Sequence, residues 1–283
     1  MSAKEVIAAV YAHPDDGEFF AAGALARWAA EGHTVYAICG TDGALGTKRR
    51  DVDGAALAAA RAGELARALL VLGLEPPILL GFPDGRLREH GEALRERLTY
   101  LFRKLQVTRV VTFDPWRRYE IHPDHIEAGR RASEAAAFAC FPLEHPRHLD
   151  EAGVLACQPR EVWYMMPTDH RPNRLVDVTS TFDKKVAALL CHSTQIEMLA
   201  GWFVPGADPT ALSEGERAQL AEGARGFLAG MAQGMAALAQ ASGAGPALAE
   251  AFYALRVGPG HFENYQEMFL ELAGVAPSPP EVI

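Results

Sequence analysis

The feature that most constrains the fold is a regular alternation of short apolar runs with helical segments. Residues 6–12 (VIAAVYA) are apolar and rich in β-formers, which predicts a buried strand. Residues 17–30 follow as a helix, with Phe20, Leu25 and Trp28 on an apolar side. Further strands are predicted at 34–39, 78–82, 109–113 and 162–166, and further helices at 55–72, 92–105 and 124–137. A helix between two strands is long enough to carry the chain back for parallel pairing. The expectation is an α/β fold: a Rossmann-like, mostly parallel sheet with helices on both faces.

The 283 residues fit a single domain spanning 1–283. Residues 200–249 are richer in Gly, Ala, Pro and Ser, and read as an insertion or lid. Within them, 214–240 predicts a helical hairpin or a mobile cover. The proline-rich tail from Ala276 reads as irregular. A net charge of −9 repels phosphate backbones and argues against nucleic acid as a partner. No apolar stretch reaches the length of a membrane span, so no membrane is expected. Cys39, Cys140, Cys157 and Cys191 are scattered and read as free thiols. A cytoplasmic location is the corresponding expectation.

In open parallel sheets, ligands bind beyond the carboxyl ends of the strands. His13, Asp15 and Asp16 follow the first strand. Thr41, Asp42 and Gly43 follow the second, and Pro83, Asp84 and Gly85 the third. The fourth leads to His122-Pro123-Asp124-His125. Either His-Pro-Asp cluster alone reads as a capped helix start. One Asp suffices for a cap, however, and two adjacent Asp repel each other and gain from a nearby cation. Imidazole nitrogen with carboxylate oxygen suits zinc, and the absence of cysteine nearby argues against a closed structural site. Iron(II) held by two His and one carboxylate competes with zinc, and ligand type leaves both open.

On AHPDDGEF (residues 12–19) and HPDH (residues 122–125), the chain resembles the PIG-L/LmbE-like family of zinc-dependent N-acetylglucosaminyl deacetylases. Weaker supports are the TDG of 41–43, Arg61 with Glu64, the FPDG of 82–85, Lys185, and His192 with Gln195. The resemblance implies that His13, Asp16 and His125 hold one Zn2+, with Fe2+ an alternative in the cell. It implies that Asp15 is the general base and that His122 is a cation that stabilises the oxyanion. Asp124 would orient His122 and favour its charged form, and Arg61 and Asp84 would hold sugar hydroxyls. The implied substrate is a small amino-sugar molecule: N-acetylglucosamine joined to malate, to inositol or within a chitin oligomer. The implied products are a free amine and acetate. A homo-oligomer is also implied.

Plainer readings stand beside these roles. Arg61 and Glu64 read equally as a surface pair, Asp84 as a turn residue, and His192 as a packing residue or buttress. Residues 113–121 (FDPWRRYEI) depart from the family pattern, where a shorter Gly-rich stretch and a tyrosine are frequent. Trp116, Arg117 and Arg118 either line the substrate entrance or form a solvated loop. A nucleotide-binding sheet would need a glycine fingerprint after the first strand, where this chain has aspartates that repel pyrophosphate. A serine hydrolase would need G-x-S-x-G, which is absent. A non-catalytic sugar-binding protein is disfavoured because ligand and base residues are all present.

Overall fold

The structure, a computed structural model, describes residues 3–167, 172–208, 210–240, 245–258, 261–273 and 278–283. The most apolar run, β1 (Val6–Tyr11), lies inside the sheet, and its residues from Ile7 onward are fully buried. It pairs in parallel with β2 (Thr34–Thr41) on one side and β4 (Arg109–Phe113) on the other. β3 (Ile78–Phe82) adds in parallel outside β2, and β5 (Glu161–Met165) outside β4. The chain thus steps outward from β1 through β2 to β3, then crosses back to β4 and runs the other way. The junction of β1 and β4 is the topological switch point, the place where such sheets open a crevice. The two His-Pro-Asp clusters are the segments that follow β1 and β4.

Three strands escaped the sequence reading. β7 (Ala249–Arg256) pairs antiparallel with β5, and β6 (Arg174–Asp177) antiparallel with β7. β8 (Glu281–Val282) then closes the edge in parallel with β6. Among the described residues the sheet is therefore mixed and eight-stranded, in the order β3-β2-β1-β4-β5-β7-β6-β8. The tail expected to be irregular ends as that edge strand; its residues 276 and 277 lie outside the described residues.

The helix expected over 17–30 is two: α1 (Asp16–Phe20) and α2 (Ala22–Ala30), parted at Ala21. α3 (Gly54–Leu72) is bounded by chemistry visible in the sequence. Asp53 caps it by accepting from Ala56 N at 2.9 Å, and Gly73 ends it at φ 79°. α4 (Gly91–Leu105) packs on α5 (Pro123–Phe138). α2 and α3 pack together with α6 (Phe182–Leu189). Lys185 of α6 is buried and bonds Glu250 and the Phe19 carbonyl.

The 200–249 segment contains α8 (Ala200–Phe203) and α9 (Glu214–Gln240), the latter one uninterrupted helix rather than a hairpin. Leu220, Ala224, Leu228 and Ala232 recur every four residues along α9 and are buried with Phe182, Val186 and Leu189 of α6. Residues 209 and 241–244 of the segment lie outside the described residues. Among the described residues, no helix is long and apolar enough to cross a membrane.

The start of α5 is brought to the sheet by a glycine. A Cβ on Gly129 would lie 2.3 Å from the Phe113 carbonyl oxygen of β4, a backbone atom that cannot step aside. Gly129→Ala should therefore push α5 off β4, at a cost of about 1–3 kcal/mol. Urea unfolding measures this; an unchanged midpoint would contradict the close approach.

Candidate metal centre and active site

β1 ends at Tyr11, and two residues later His13 leaves the sheet at the switch point. Asp16 opens α1, where the helix dipole favours a carboxylate. Its Oδ2 accepts from His13 N at 2.7 Å and lies 3.4 Å from His13 Nδ1. Its Oδ1 lies 3.4 Å from Nε2 of His125, in the first turn of α5. His13 and His125, 112 positions apart in the chain, thus share one carboxylate. The His13 and His125 ring centroids are 5.2 Å apart, and His122 stands 4.5 Å from each.

The donor set fits a metal ion by a further observation. Ligating histidines generally turn their second ring nitrogen to a carboxylate or carbonyl. The Nε2 of His13 faces Asp84 Oδ1 at 3.2 Å and Asp124 Oδ2 at 3.4 Å. The Nδ1 of His125 faces Glu120 Oε2 at 3.3 Å. Each ring therefore has one nitrogen toward Asp16 and one toward an outer carboxylate. Ligand atoms of His13, His122 and His125 lie within 4.8 Å of one another, as do those of His13, Asp84 and Asp124.

The electrostatics follow. Burial opposes charge on His13, but Asp16, Asp124 and Asp84 outweigh it and raise its pKa. Burial alone would raise the Asp16 pKa, yet the imidazoles of His13 and His125 hold it far below the usual carboxylate range. Asp15 behaves oppositely. Burial pushes it up to about 6, against the pull of Arg61, and the charge of Asp16 adds to the rise. Two adjacent aspartates are thus driven apart by their surroundings.

Asp15 is also set apart by its backbone. Its φ of 145° is one that L residues rarely adopt, a conformation that neighbours must enforce. Arg61 supplies much of that enforcement. Its Nη2 donates to the Pro14 carbonyl at 3.1 Å and to Asp15 Oδ1 at 3.0 Å, and its Nη1 to the Gly43 carbonyl at 2.9 Å. Gly43 has φ 69°, and a Cβ there would sit 2.7 Å from Arg61 Nη1. The TDG turn is shaped to receive this guanidinium.

Four of the expected site residues have partners that the sequence did not show. Arg61, expected to bind sugar hydroxyls, is buried, with Nη1 on the Gly43 carbonyl and Nη2 on the Pro14 carbonyl and Asp15. Asp84, expected to do the same, spends Oδ2 on Leu45 N at 3.0 Å and turns Oδ1 to His13. Asp124 does not orient the His122 ring through its carboxylate. That group accepts from Gly85 N at 2.7 Å and Leu87 N at 3.0 Å, and faces His13. Burial and the neighbouring imidazoles of His13 and His125 push the pKa of His122 down. Its Nδ1 accepts from Asp124 N at 3.3 Å, so the neutral ring carries its proton on Nε2.

Residues beyond the sequence reading complete the site. Glu120, adjoining Tyr119, is one. Glu64 is not a surface partner of Arg61; it is buried and accepts from Ser193 Oγ, Thr194 N and Thr194 Oγ1. It thereby ties α3 to α7 (Ser193–Met198). Beneath the Asp15-Asp16 turn, fully buried Glu18 lies 3.4 Å from His192 Nε2, which places His192 as a buttress. Glu18 lies within the AHPDDGEF motif and Glu64 beside Arg61 in the sequence, but their partners His192, Ser193 and Thr194 are distant in the chain. Glu96, His145 and His148 form a second possible cluster. It suits a cation poorly: Arg103 Nη1, 3.3 Å from His148 Nδ1, leaves the ring proton on the nitrogen facing Glu96.

A cavity of about 300 Å³ opens over this arrangement. His13, Asp15, Asp16, His122, Arg61 and Asp84 line it, with Leu45, Gly46, Gln195 and Met198. Its size is at the lower end for small-molecule sites.

Known proteins share this arrangement of segments. The family model described as PIG-L, GlcNAc-PI de-N-acetylase, matches residues 8–136, which include both His-Pro-Asp clusters. The diacetylchitobiose deacetylase of Thermococcus kodakarensis is 32% identical over 184 residues, covering 65% of this chain and 67% of that protein. The 1D-myo-inositol 2-acetamido-2-deoxy-alpha-D-glucopyranoside deacetylase of Mycobacteroides abscessus is 33% identical over 226 residues, covering 66% and 80%. Among solved structures, the N,N'-diacetylchitobiose deacetylase from Pyrococcus horikoshii has a TM-score of 0.74 at 26% identity, covering 92% of this chain and 85% of that one. With both clusters at the switch point of the sheet, and relatives of this identity and coverage, the chain belongs to the PIG-L family of LmbE-like deacetylases.

Proposed function

We propose that this protein hydrolyses the acetamide of an N-acetylglucosamine-type sugar in a small conjugate, releasing acetate and a free amine. The observation that carries the reading is the division between neighbours. Asp16 faces both His13 and His125, while Asp15 is held away on Arg61 with its pKa raised to about 6. Relatives named as deacetylases of chitobiose and of an inositol-linked acetamido sugar support the substrate class.

His13, Asp16 and His125 would hold a divalent cation, which we take as zinc. When bound, that ion supplies positive charge that polarises the amide carbonyl and lowers the pKa of water. Asp15 takes the proton of the attacking water, since a raised carboxylate pKa matches a base to its task. His122 donates from Nε2 to the carbonyl oxygen as negative charge builds there. Asp15 then passes its proton to the departing amine nitrogen as the C–N bond breaks. Arg61 keeps the Asp15 carboxylate aimed at the cavity, and Asp84 and Asp124 hold the His13 ring. Four unpaired thiols fit a reducing compartment such as the cytoplasm.

The direct test is to measure bound metal and then assay amine release from N-acetylated mono- and disaccharides and from GlcNAc-inositol and GlcNAc-malate. Release from at least one, lost on chelation and restored by zinc, is expected; metal-loaded protein inactive on all of them would oppose the reading. Asp15→Asn should keep its metal while turnover falls about 10²–10⁴-fold, whereas His13→Ala should lose the metal. Equal metal loss in both variants would refute the assigned roles. Activity should also rise with pH along an acid limb at or below pH 6. The base must be ionised, so protonation of Asp15 as pH falls removes it, and a bound cation moves the limb lower still. A pH profile flat to pH 4 would contradict Asp15 as the base.

A further inference from the structure

The loop between β4 and α5 carries a carboxylate that nothing in the reaction scheme uses. Glu120 Oε2 lies 3.3 Å from His125 Nδ1, and Oε1 accepts from His122 N at 2.9 Å. One side chain therefore reaches both histidines of the second cluster. It is itself held in place: Glu120 N donates to the Arg117 carbonyl at 3.3 Å, and Arg117 Nη1 lies 3.6 Å from Oε2. Its side chain is 12% exposed, so water screens the contact little.

We propose that Glu120 is a positioning residue for the metal centre, fixing the proton of His125 on Nδ1 so that Nε2 presents its lone pair beside Asp16. This rests on the reading that His125 is a metal ligand. A neutral imidazole free in water shares its proton between both nitrogens, and only the ring with Nε2 bare can coordinate through that atom. Packing alone does not settle the choice. His125 is stacked on Phe113 at 4.2 Å and 7° and on His122 at 4.5 Å and 19°. Those contacts fix the plane of the ring but are indifferent to which nitrogen holds the proton. Of its two nitrogens, Nε2 lies 3.4 Å from Asp16 Oδ1 and Nδ1 lies 3.3 Å from Glu120 Oε2. Asp16 as a metal ligand has no need of the proton, so the outer carboxylate decides it. His13 has the same arrangement, with Asp84 and Asp124 in the outer position. For His125 that position is filled from the segment where this chain departs from the family pattern.

The test uses the full-length protein as Glu120→Gln, Tyr119→Ala and His125→Ala. Zinc affinity is measured by competition with a chromophoric chelator, and the His125 tautomer by ¹⁵N chemical shifts of the metal-free protein. Tyr119 is 88% exposed and adjoins Glu120, so its variant reports general damage to the loop. E120Q should bind zinc about 10–100-fold more weakly, with His125 shifting away from the Nδ1–H form. Y119A should bind as the wild type does. Unchanged affinity in E120Q, an unchanged tautomer, or equal weakening in Y119A would overturn the proposal. H125A distinguishes the underlying reading: it should lose zinc, and if it retains wild-type affinity then His125 is not a ligand at all.

Discussion

Asp16 accepts from the backbone of His13 and faces the rings of both His13 and His125, and the rest of the site is arranged around that shared carboxylate. It joins the segments after β1 and β4, which belong to opposite halves of the doubly wound sheet. A single acidic group could not sit there unaided, because burial disfavours its charge. Two imidazoles face it, and Asp84, Asp124 and Glu120 lie beside their other ring nitrogens. The centre is a set of alternating opposite charges with excess carboxylate, an environment that a divalent cation satisfies.

The adjacent aspartates show how one dipeptide can serve two ends. At Asp16 the backbone enters a helix and the side chain turns to the imidazoles. At Asp15 the strained φ swings the side chain to Arg61 and the cavity. Strain of this kind persists only when the surroundings over-determine it. Here Arg61 binds the carbonyl on one side of the strained residue and its carboxylate, while Glu18 and Phe19 N–H groups bond its own carbonyl at 3.0 and 3.3 Å. Local strain at the turn thereby sets the Asp15 carboxylate apart from the cluster of Asp16, His13 and His125.

The parallel half of the sheet was legible because its strands are short runs of β-formers with helical segments between them. The antiparallel half was not. β6 and β8 are shorter than a periodic pattern can reveal, and β7 (AEAFYALR) carries alanines and a buried Glu250 whose partner, Lys185, lies far off in sequence. The break at Ala21 leaves no mark in a stretch of good helix formers. In the site, the meeting of His13, Asp16 and His125 was legible because both motifs follow strands that adjoin at the switch point. The target of Arg61, the turning of Asp124 toward Gly85 and Leu87, and the pairing of Glu120 with His125 were not. Each depends on which loops meet in space, and a guanidinium buried on an aspartate looks the same in sequence as one waiting for a sugar.

The account stands on where the cation binds. Anomalous diffraction at the zinc edge from zinc-loaded crystals measures this directly. The account predicts one strong peak bonded to His13, Asp16 and His125, with the Asp15 carboxylate outside bonding distance. A peak ligated by Asp15, or one held by His13 with Asp84 and Asp124, would contradict it.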